Sequence, residues 1–366
     1  MPLADELLGR DVVDSLAEVL TRVAPERDWT DLASVWDRVD DLGLSDRARA
    51  VGDAVLHGLP SEVDDVESLL DAALAETDFA GWMIWPVTEA TARLTSDAGP
   101  ERFDRGLRIL EKLTPRLSSE FAIRSFLNHD LERTLARAMT WTSSPDEHVR
   151  RLASEGTRPR LPWAKSVPLL RANPHATIGI LDALYRDESV TVRRSVANHL
   201  NDISWLDPAL AVTTARRWAA SPDANTDRVV AHAMRTLVKQ ADPDALDLLG
   251  FGTPAGLDVE GPRLGSERVS LGGALEFTAT VTNEADIEAR VAIDYVIHFR
   301  KANGSSSPKV FKLAKRTIGP GESVDLRAMH AFKELTTRRH HAGEHAVEIQ
   351  VNGRRHGYVG FILTVS

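Results

Sequence analysis

The spacing of apolar residues changes period once along the chain. In the first 250 positions it is helical: Val13, Leu16, Val19, Leu20 and Val23 fall on one face of a helix near the N-terminus. Ser118 predicts a cap for a helix beginning near Glu120, and Asp207-Pro208 reads as an N-cap followed by a first-turn proline. Further on the period becomes two. Leu275, Phe277, Ala279 and Val281 alternate with Glu276, Thr278 and Thr280, and Val291, Ile293, Tyr295, Ile297 and Phe299 form a second alternating set. Val347, Ile349 and Val351 lead into Asn352-Gly353, a hairpin-turn pair. Between Gly250 and Gly265, glycine and proline are several times denser than in the chain as a whole, which predicts a linker over 251–266. The pattern therefore predicts a helical domain over 1–250 and an immunoglobulin-like β-sandwich over 267–366.

An internal repeat organises the second part of the helical half. Trp141-Thr142-Ser143-Ser144-Pro145-Asp146 returns as Trp218-Ala219-Ala220-Ser221-Pro222-Asp223. At about half that offset, Val149-Arg150-Arg151-Leu152-Ala153 returns as Val192-Arg193-Arg194-Ser195-Val196, with a weaker copy from Val229 to Ala233. The shorter offset is a period of roughly 40 residues, that of HEAT-like helical pairs, which stack into a solenoid with one continuous core and an exposed concave face. The expected fold is thus a HEAT-like α-helical repeat solenoid followed by an immunoglobulin-like β-sandwich.

Charge sharpens the division. The chain carries -10 overall, but Gly256 to Ser366 carries +2, and Arg300 to Arg339 alone carries +7. A local basic surface is therefore expected on an acidic protein, and local potential is what a phosphate backbone meets. The absence of cysteine excludes a disulfide scaffold, a thiolate nucleophile and Cys-ligated zinc, and fits a reducing compartment. The first residues lack a signal peptide, and no apolar run is long enough to span a membrane, so a cytoplasmic protein is expected. Metalloprotease, iron-oxygenase, nucleophile-elbow and Walker patterns are missing. His340-His341 and His345 lack metal-ligand spacing and read as a polar or cationic loop.

Candidate chemistry concentrates in three segments. Glu155 sits in the last turn of a helix before Gly156, where a carboxylate opposes the helix dipole. Gly156 is expected as the left-handed residue that ends that helix. The bland alternative for Glu155 is an ion pair with Arg151 one turn earlier. Arg194, Asn198 and Asp202 share one helical stripe, and repeat alignment matches Arg151 to Arg194 and Glu155 to Asn198. Glu155 and Asp202 are therefore expected to project from neighbouring helices onto one face, unless Asp202 merely begins a turn. Glu120 is explained equally well by a helix dipole. Trp163, on a proline-rich loop, is a candidate stacking surface; Arg158 and Arg160 beside it are either phosphate ligands or solvated charges.

The segments Glu120-Phe121-Ala122-Ile123-Arg124, Arg151 to Trp163, and Ser195 to Ile203 resemble the AlkC branch of the AlkC/AlkD superfamily of HEAT-like-repeat DNA alkylation-repair glycosylases. Phe79 to Pro86 resembles the N-terminal region of that family, and the C-terminal domain resembles the immunoglobulin-like module some members append. One departure is Ser125, where the family pattern has Pro. The resemblance implies a monofunctional glycosylase that excises cationic N-alkylated bases such as N3-methyladenine and N3-methylcytosine and needs no cofactor or metal. It implies that Glu120, Glu155 and Asp202 are the catalytic carboxylates, Asp202 foremost, and that Trp163 stacks on the base. Arg151, Arg158, Arg160, Arg194 and Asn198 are then assigned to DNA. So are Lys312, Lys315, Arg316, Arg338 and Arg339, with Lys309, as a basic grip on the backbone opposite the concave face. The expected partner is double-stranded DNA containing alkylated bases, with no membrane, and the protein a monomer. A non-catalytic helical scaffold and a sensor of alkylated DNA are the competing readings.

Overall fold

The computed structural model describes residues 2–252, 256–333 and 339–365. The chain divides into two compact units, Met1–Ala233 and Met234–Ser366. The first contains α1 (Pro2–Leu7), α2 (Arg10–Val23), α3 (Thr30–Ala33), α4 (Leu44–Gly58), α5 (Val63–Ala75), α6 (Ile84–Thr95), α7 (Pro100–Leu113), α8 (Ile123–His129), α9 (Leu131–Trp141), α10 (Glu147–Glu155), α11 (Pro168–Ala172), α12 (Ile178–Leu184), α13 (Val190–Ile203), α14 (Pro208–Ala219) and α15 (Thr226–Ala233). The second contains α16 (Arg235–Lys239), α17 (Pro243–Leu248) and strands β1 (Leu257–Leu264), β2 (Arg268–Ser270), β3 (Ala274–Asn283), β4 (Ala289–Arg300), β5 (Ser306–Ile318), β6 (Ser323–Ala331), β7 (Gly343–Val351) and β8 (Arg354–Thr364).

In the helical unit the expected stripe is the buried face of α2: Val13, Leu16, Val19 and Leu20 lie in the core. The repeat has a physical basis in two places. Asp146, which closes the first Ser-Pro-Asp copy, caps α10 by accepting from the His148 and Val149 amides; Asp223 accepts from the Asn225 amide and the Thr226 hydroxyl at the entry to α15. The paired tryptophans are equivalent as well. Trp141 Nε1 donates to Glu111 of α7 at 2.7 Å, and Trp218 Nε1 donates to Asp182 of α12 at 2.8 Å. Each buried indole thus satisfies its one donor on a carboxylate of an earlier helix. Asp207 caps α14 through the Leu210 amide, as expected. The second helices of successive pairs, α10, α13 and α15, pack in series.

The second unit packs a three-stranded sheet, β1-β3-β6, against a five-stranded sheet, β2-β8-β7-β4-β5. Leu275, Phe277, Ala279 and Val281 of β3 meet Val291, Ile293, Tyr295, Ile297 and Phe299 of β4 in the core between them. The β7–β8 hairpin turns at Asn352 (φ 44°) and Gly353 (φ 80°), both left-handed. Asn352 is also buried: its Oδ1 accepts from the Ala292 amide, and its Nδ2 donates to the Gly252 and Arg290 carbonyls.

Two boundaries differ from expectation. Part of the presumed linker, 251–266, is β1, paired antiparallel with β3. Its glycine and proline mark a bulge between Glu260 and Arg263, where Gly261 has φ 102° and a side chain would meet the Thr278 carbonyl. The second unit also begins before the strands. Leu246 of α17 and Phe251 cluster with Ala292 and cover the outer face of β4.

That cover buries Asp294. Desolvation pushes its carboxyl up to about 6, although Lys239, Lys312 and Lys315 pull it down. Because the folded value exceeds the ordinary 3.8, Asp294 contributes stability below pH 3.8 that is lost as pH rises through 6. A rise of that size corresponds to roughly 3 kcal/mol. Asp294→Asn is therefore expected to gain stability relative to wild type at pH 8, with the gain vanishing near pH 4. Denaturant titration of both proteins at the two pH values checks this; a pH-independent difference would contradict it.

Candidate active site

The site is built where α10 and α13 come closest. Ser154 and Ser195 touch through their hydroxyls at 2.6 Å, small residues that allow the approach. His199 of α13 is fully buried, with Nδ1 2.8 Å from the Ser154 carbonyl and Nε2 3.0 Å from the Thr177 hydroxyl. Burial depresses its pKa to about 3, so the ring is neutral. A neutral ring facing a carbonyl must carry its proton on Nδ1 and accept from Thr177 through Nε2. His199 thereby ties α13 to the end of α10.

That packing brings Glu155 and Asp202 together. After α10 the chain turns through Gly156 and Thr157, and Arg158 folds back between the two acids. Its Nε donates to Asp202 Oδ2 at 2.8 Å and its Nη1 to Glu155 Oε1 at 2.5 Å. All three side chains are about nine-tenths buried. Asp202 Oδ1 and Glu155 Oε2 have no hydrogen bond among the described residues. Burial raises the Asp202 pKa above its ordinary 3.8, and the Arg158 hydrogen bond and charge work against that rise. Asp202 lies in the last turn of α13, where its carbonyl accepts from the Trp205 amide at 3.3 Å, but its side chain is held by Arg158 rather than spent on that turn.

Four expectations are revised here. Arg158, assigned to phosphate, is occupied as the bridge between two buried carboxylates. Arg151 pairs with Glu120 at 2.8 Å, while Glu155 takes Arg158. Glu120 precedes α8, which starts at Ile123, so it does not stand in that helix's first turn; Ser118 Oγ accepts from the Glu120 amide at 3.3 Å and donates to Glu120 Oε2 at 2.9 Å, but in the turn ahead of α8 rather than as its N-cap. Gly156 keeps a right-handed conformation (φ -65°), and glycine is required there because a Cβ would lie 2.8 Å from Ile123. Glu120 still joins the site, because Arg151, its partner, stands one turn before Glu155 on α10.

The loop carrying Trp163 is clamped from α8. Arg124, 1% exposed, donates to the carbonyls of Gly156, Arg158 and Lys165 at 3.1, 2.6 and 3.0 Å. Burial brings even this guanidinium down to about 10. Asn128 Nδ2 holds the Ser166 carbonyl at 3.0 Å, and Lys165 reaches Ser125 Oγ at 3.3 Å and the buried Glu89 at 3.9 Å. Trp163 itself is 59% exposed with φ 63°, a left-handed conformation that costs an L-residue on the order of 1–2 kcal/mol. The clamp holds this bulky aromatic in a strained, solvent-facing position, the kind of outlier that points to function.

The motifs contain Arg124 and His199, but sequence reasoning gives neither a task. The available signal is a charged residue inside the apolar run Phe121, Ile123, Phe126, Leu127. Of the remaining candidates, Arg160 is exposed, with its guanidinium 4.9 Å from the Trp205 ring centroid. Arg194 is exposed at the start of the α13 stripe, Asn198 is half-buried and Asp202 buried.

Residues 258–365 match the family model described as the C-terminal Ig-like domain of the uncharacterised protein YhaZ. The chain is 36% identical over 314 residues to the uncharacterized protein YhaZ of Bacillus subtilis (strain 168), spanning 86% of this chain and 85% of that one. It aligns with the structure of Pseudomonas fluorescens alkylpurine DNA glycosylase AlkC bound to DNA containing an abasic site analog, at a TM-score of 0.89 and 33% identity over 97% of each chain. The chain belongs to the AlkC family.

Within that family frame, the serine at position 125 leaves α8 intact and supplies the hydroxyl that Lys165 reaches. In the immunoglobulin-like unit, Lys309, Lys312, Lys315 and Arg316 lie exposed on the edge strand β5, and the Lys315 ammonium stands 4.8 Å from the Phe251 ring centroid. Arg339 lines a cleft of about 220 Å³ with Arg300, Lys301 and His341. Arg338 lies outside the described residues.

Proposed function

We propose that this AlkC-family chain is a monofunctional DNA glycosylase that hydrolyses the N-glycosidic bond of cationic N-alkylated bases, N3-methyladenine and N3-methylcytosine among them, in duplex DNA. The observation that carries the reading is the pair of buried carboxylates from adjacent repeats, bridged by one guanidinium that leaves an oxygen of each unbonded.

An N3-alkylated base is already positively charged, so it leaves without a strong general acid. As the C1′–N bond breaks, the base takes the electron pair and becomes neutral, and positive charge moves to the sugar. A carboxylate about 4 Å from that charge, at an effective dielectric near 20, stabilises it by roughly 4 kcal/mol. If this appears mainly in the transition state, it is about a thousandfold in rate. Asp202 Oδ1 is the oxygen for this task. It then takes a proton from the water that adds to C1′, giving free base and an abasic site. Glu155 and Glu120 attract the cationic base, and Trp163 stacks on it with a cation–π contribution. Neutral bases gain none of this charge attraction, which gives selectivity by charge.

The DNA backbone is assigned to Arg160, Arg194 and Asn198 in the helical unit and to Lys312, Lys315, Arg316, Arg338 and Arg339 in the other. The enzyme is read as a monomer acting in the cytoplasm. The test is release of free base from duplexes carrying N3-methyladenine, N3-methylcytosine or, as a neutral control, uracil: the two cationic lesions are excised and uracil is kept. Trp163→Ala is expected to slow release of N3-methyladenine by about tenfold, from loss of roughly 1–2 kcal/mol of cation–π and stacking energy, with thermal stability unchanged. Single-turnover assays check this; an unaltered rate would remove Trp163 from the base site.

A further inference from the structure

Trp205 has no part in the chemistry above, yet its place is unusual. It follows the end of α13, close after Asp202, its amide donates to the Asp202 carbonyl at 3.3 Å, and its indole is 53% exposed. The other tryptophans are buried or half-buried; Trp163 and Trp205 are the two that stand out in solvent. Over the Trp205 ring lies the Arg160 guanidinium, 4.9 Å from the centroid. Arg160 comes from the clamped loop, between Arg158 and Trp163. It is exposed and has no carboxylate partner among the described residues. Its charge reaches Asp202, where it helps to hold the carboxyl ionised.

We infer that Arg160 and Trp205 form a phosphodiester clamp beside the excision site, in which Trp205 is a positioning residue that presents the guanidinium to the DNA backbone. A free arginine has several rotatable bonds and loses much of its freedom on binding. Resting on the indole face removes part of that cost beforehand. A guanidinium lying over a ring still offers its N–H edge, which matches two oxygens of one phosphate. An arginine kept beside a catalytic carboxylate without pairing to it is suited to an anion brought by the substrate. The inference rests on the glycosylase reading and deepens it by naming the contact that sets the lesion strand against Asp202.

The test uses the full chain and a short duplex with a stable abasic-site analogue, so that turnover does not enter the affinity. Wild type, Trp205→Leu, Trp205→Phe, Arg160→Gln and the Trp205→Leu/Arg160→Gln double variant are titrated at several salt concentrations. Arg160→Gln and Trp205→Leu are each expected to weaken binding by about tenfold and to lower the salt slope by about one phosphate contact. The double variant is expected to be no weaker than either single one, and Trp205→Phe to restore most of the loss, because a phenyl face still supports the guanidinium. Additive losses, or a Trp205→Leu protein with wild-type affinity and slope, would overturn the inference. The same proteins are assayed for release of N3-methyladenine. If wild type binds but releases nothing, the glycosylase reading fails, while the clamp stands or falls on the affinities alone.

Discussion

Asp202→Asn is expected to lower the single-turnover rate of N3-methyladenine release by about a thousandfold while leaving duplex affinity within a few-fold of wild type. The magnitude follows from removing one full negative charge about 4 Å from the developing oxocarbenium ion, roughly 4 kcal/mol at an effective dielectric near 20. The amide retains the shape and can still accept from Arg158 Nε, so the bridge to Glu155 need not collapse. The wild-type pH profile should carry the same signature. Burial raises the Asp202 pKa, so release is lost on acidification at a pH above the ordinary carboxylate value of 3.8. That acidic limb should be absent from the residual activity of the variant. A wild-type rate in Asp202→Asn, or loss of DNA binding in step with activity, would assign the residue to structure.

Arg158→Met is expected to have the largest effect on stability. It leaves Glu155 and Asp202 buried side by side without their cation, and removing one partner from a buried ionic group costs about 3–5 kcal/mol. For a unit of this size that is on the order of 10 °C in melting temperature. Asp202 should also hold its proton to higher pH, so activity at neutral pH falls further than stability explains. Adding Glu155→Gln should return part of the lost stability by removing one of the two unpaired charges. Arg158→Lys should fall between, since an ammonium lacks the planar fork that reaches both carboxylates. Scanning calorimetry of the four proteins decides this; an unchanged melting temperature in Arg158→Met would show that the bridge is not what holds the site.

These two residues mark where the sequence can be read and where it cannot. Asp202 is legible because its stripe with Arg194 and Asn198, set beside the repeat that matches Glu155 to Asn198, places two acids on one face. The tryptophan repeat, the Asp207 cap and the Asn352-Gly353 hairpin are legible for similar reasons, each being a local rule with a fixed spacing. Arg158 is not. Its neighbours are prolines, another arginine and a tryptophan, and nothing in that composition says whether the side chain turns outward to phosphate or back across α10 to Asp202, 44 residues away. Arg124 is hidden for the same reason, since its three acceptors are carbonyls of a loop far along the chain. The segment containing Gly261 reads as a linker because a bulge and a linker demand the same residues. Trp205 is indistinguishable from the core tryptophans in sequence because exposure is a property of tertiary structure.

The most direct measurement is to incubate the purified chain with a duplex containing a single N3-methyladenine and look for free base and an alkali-labile abasic site. The glycosylase account predicts both, in equal amounts, from the lesion strand alone. A duplex that is bound tightly but stays intact, with no free base, would contradict it.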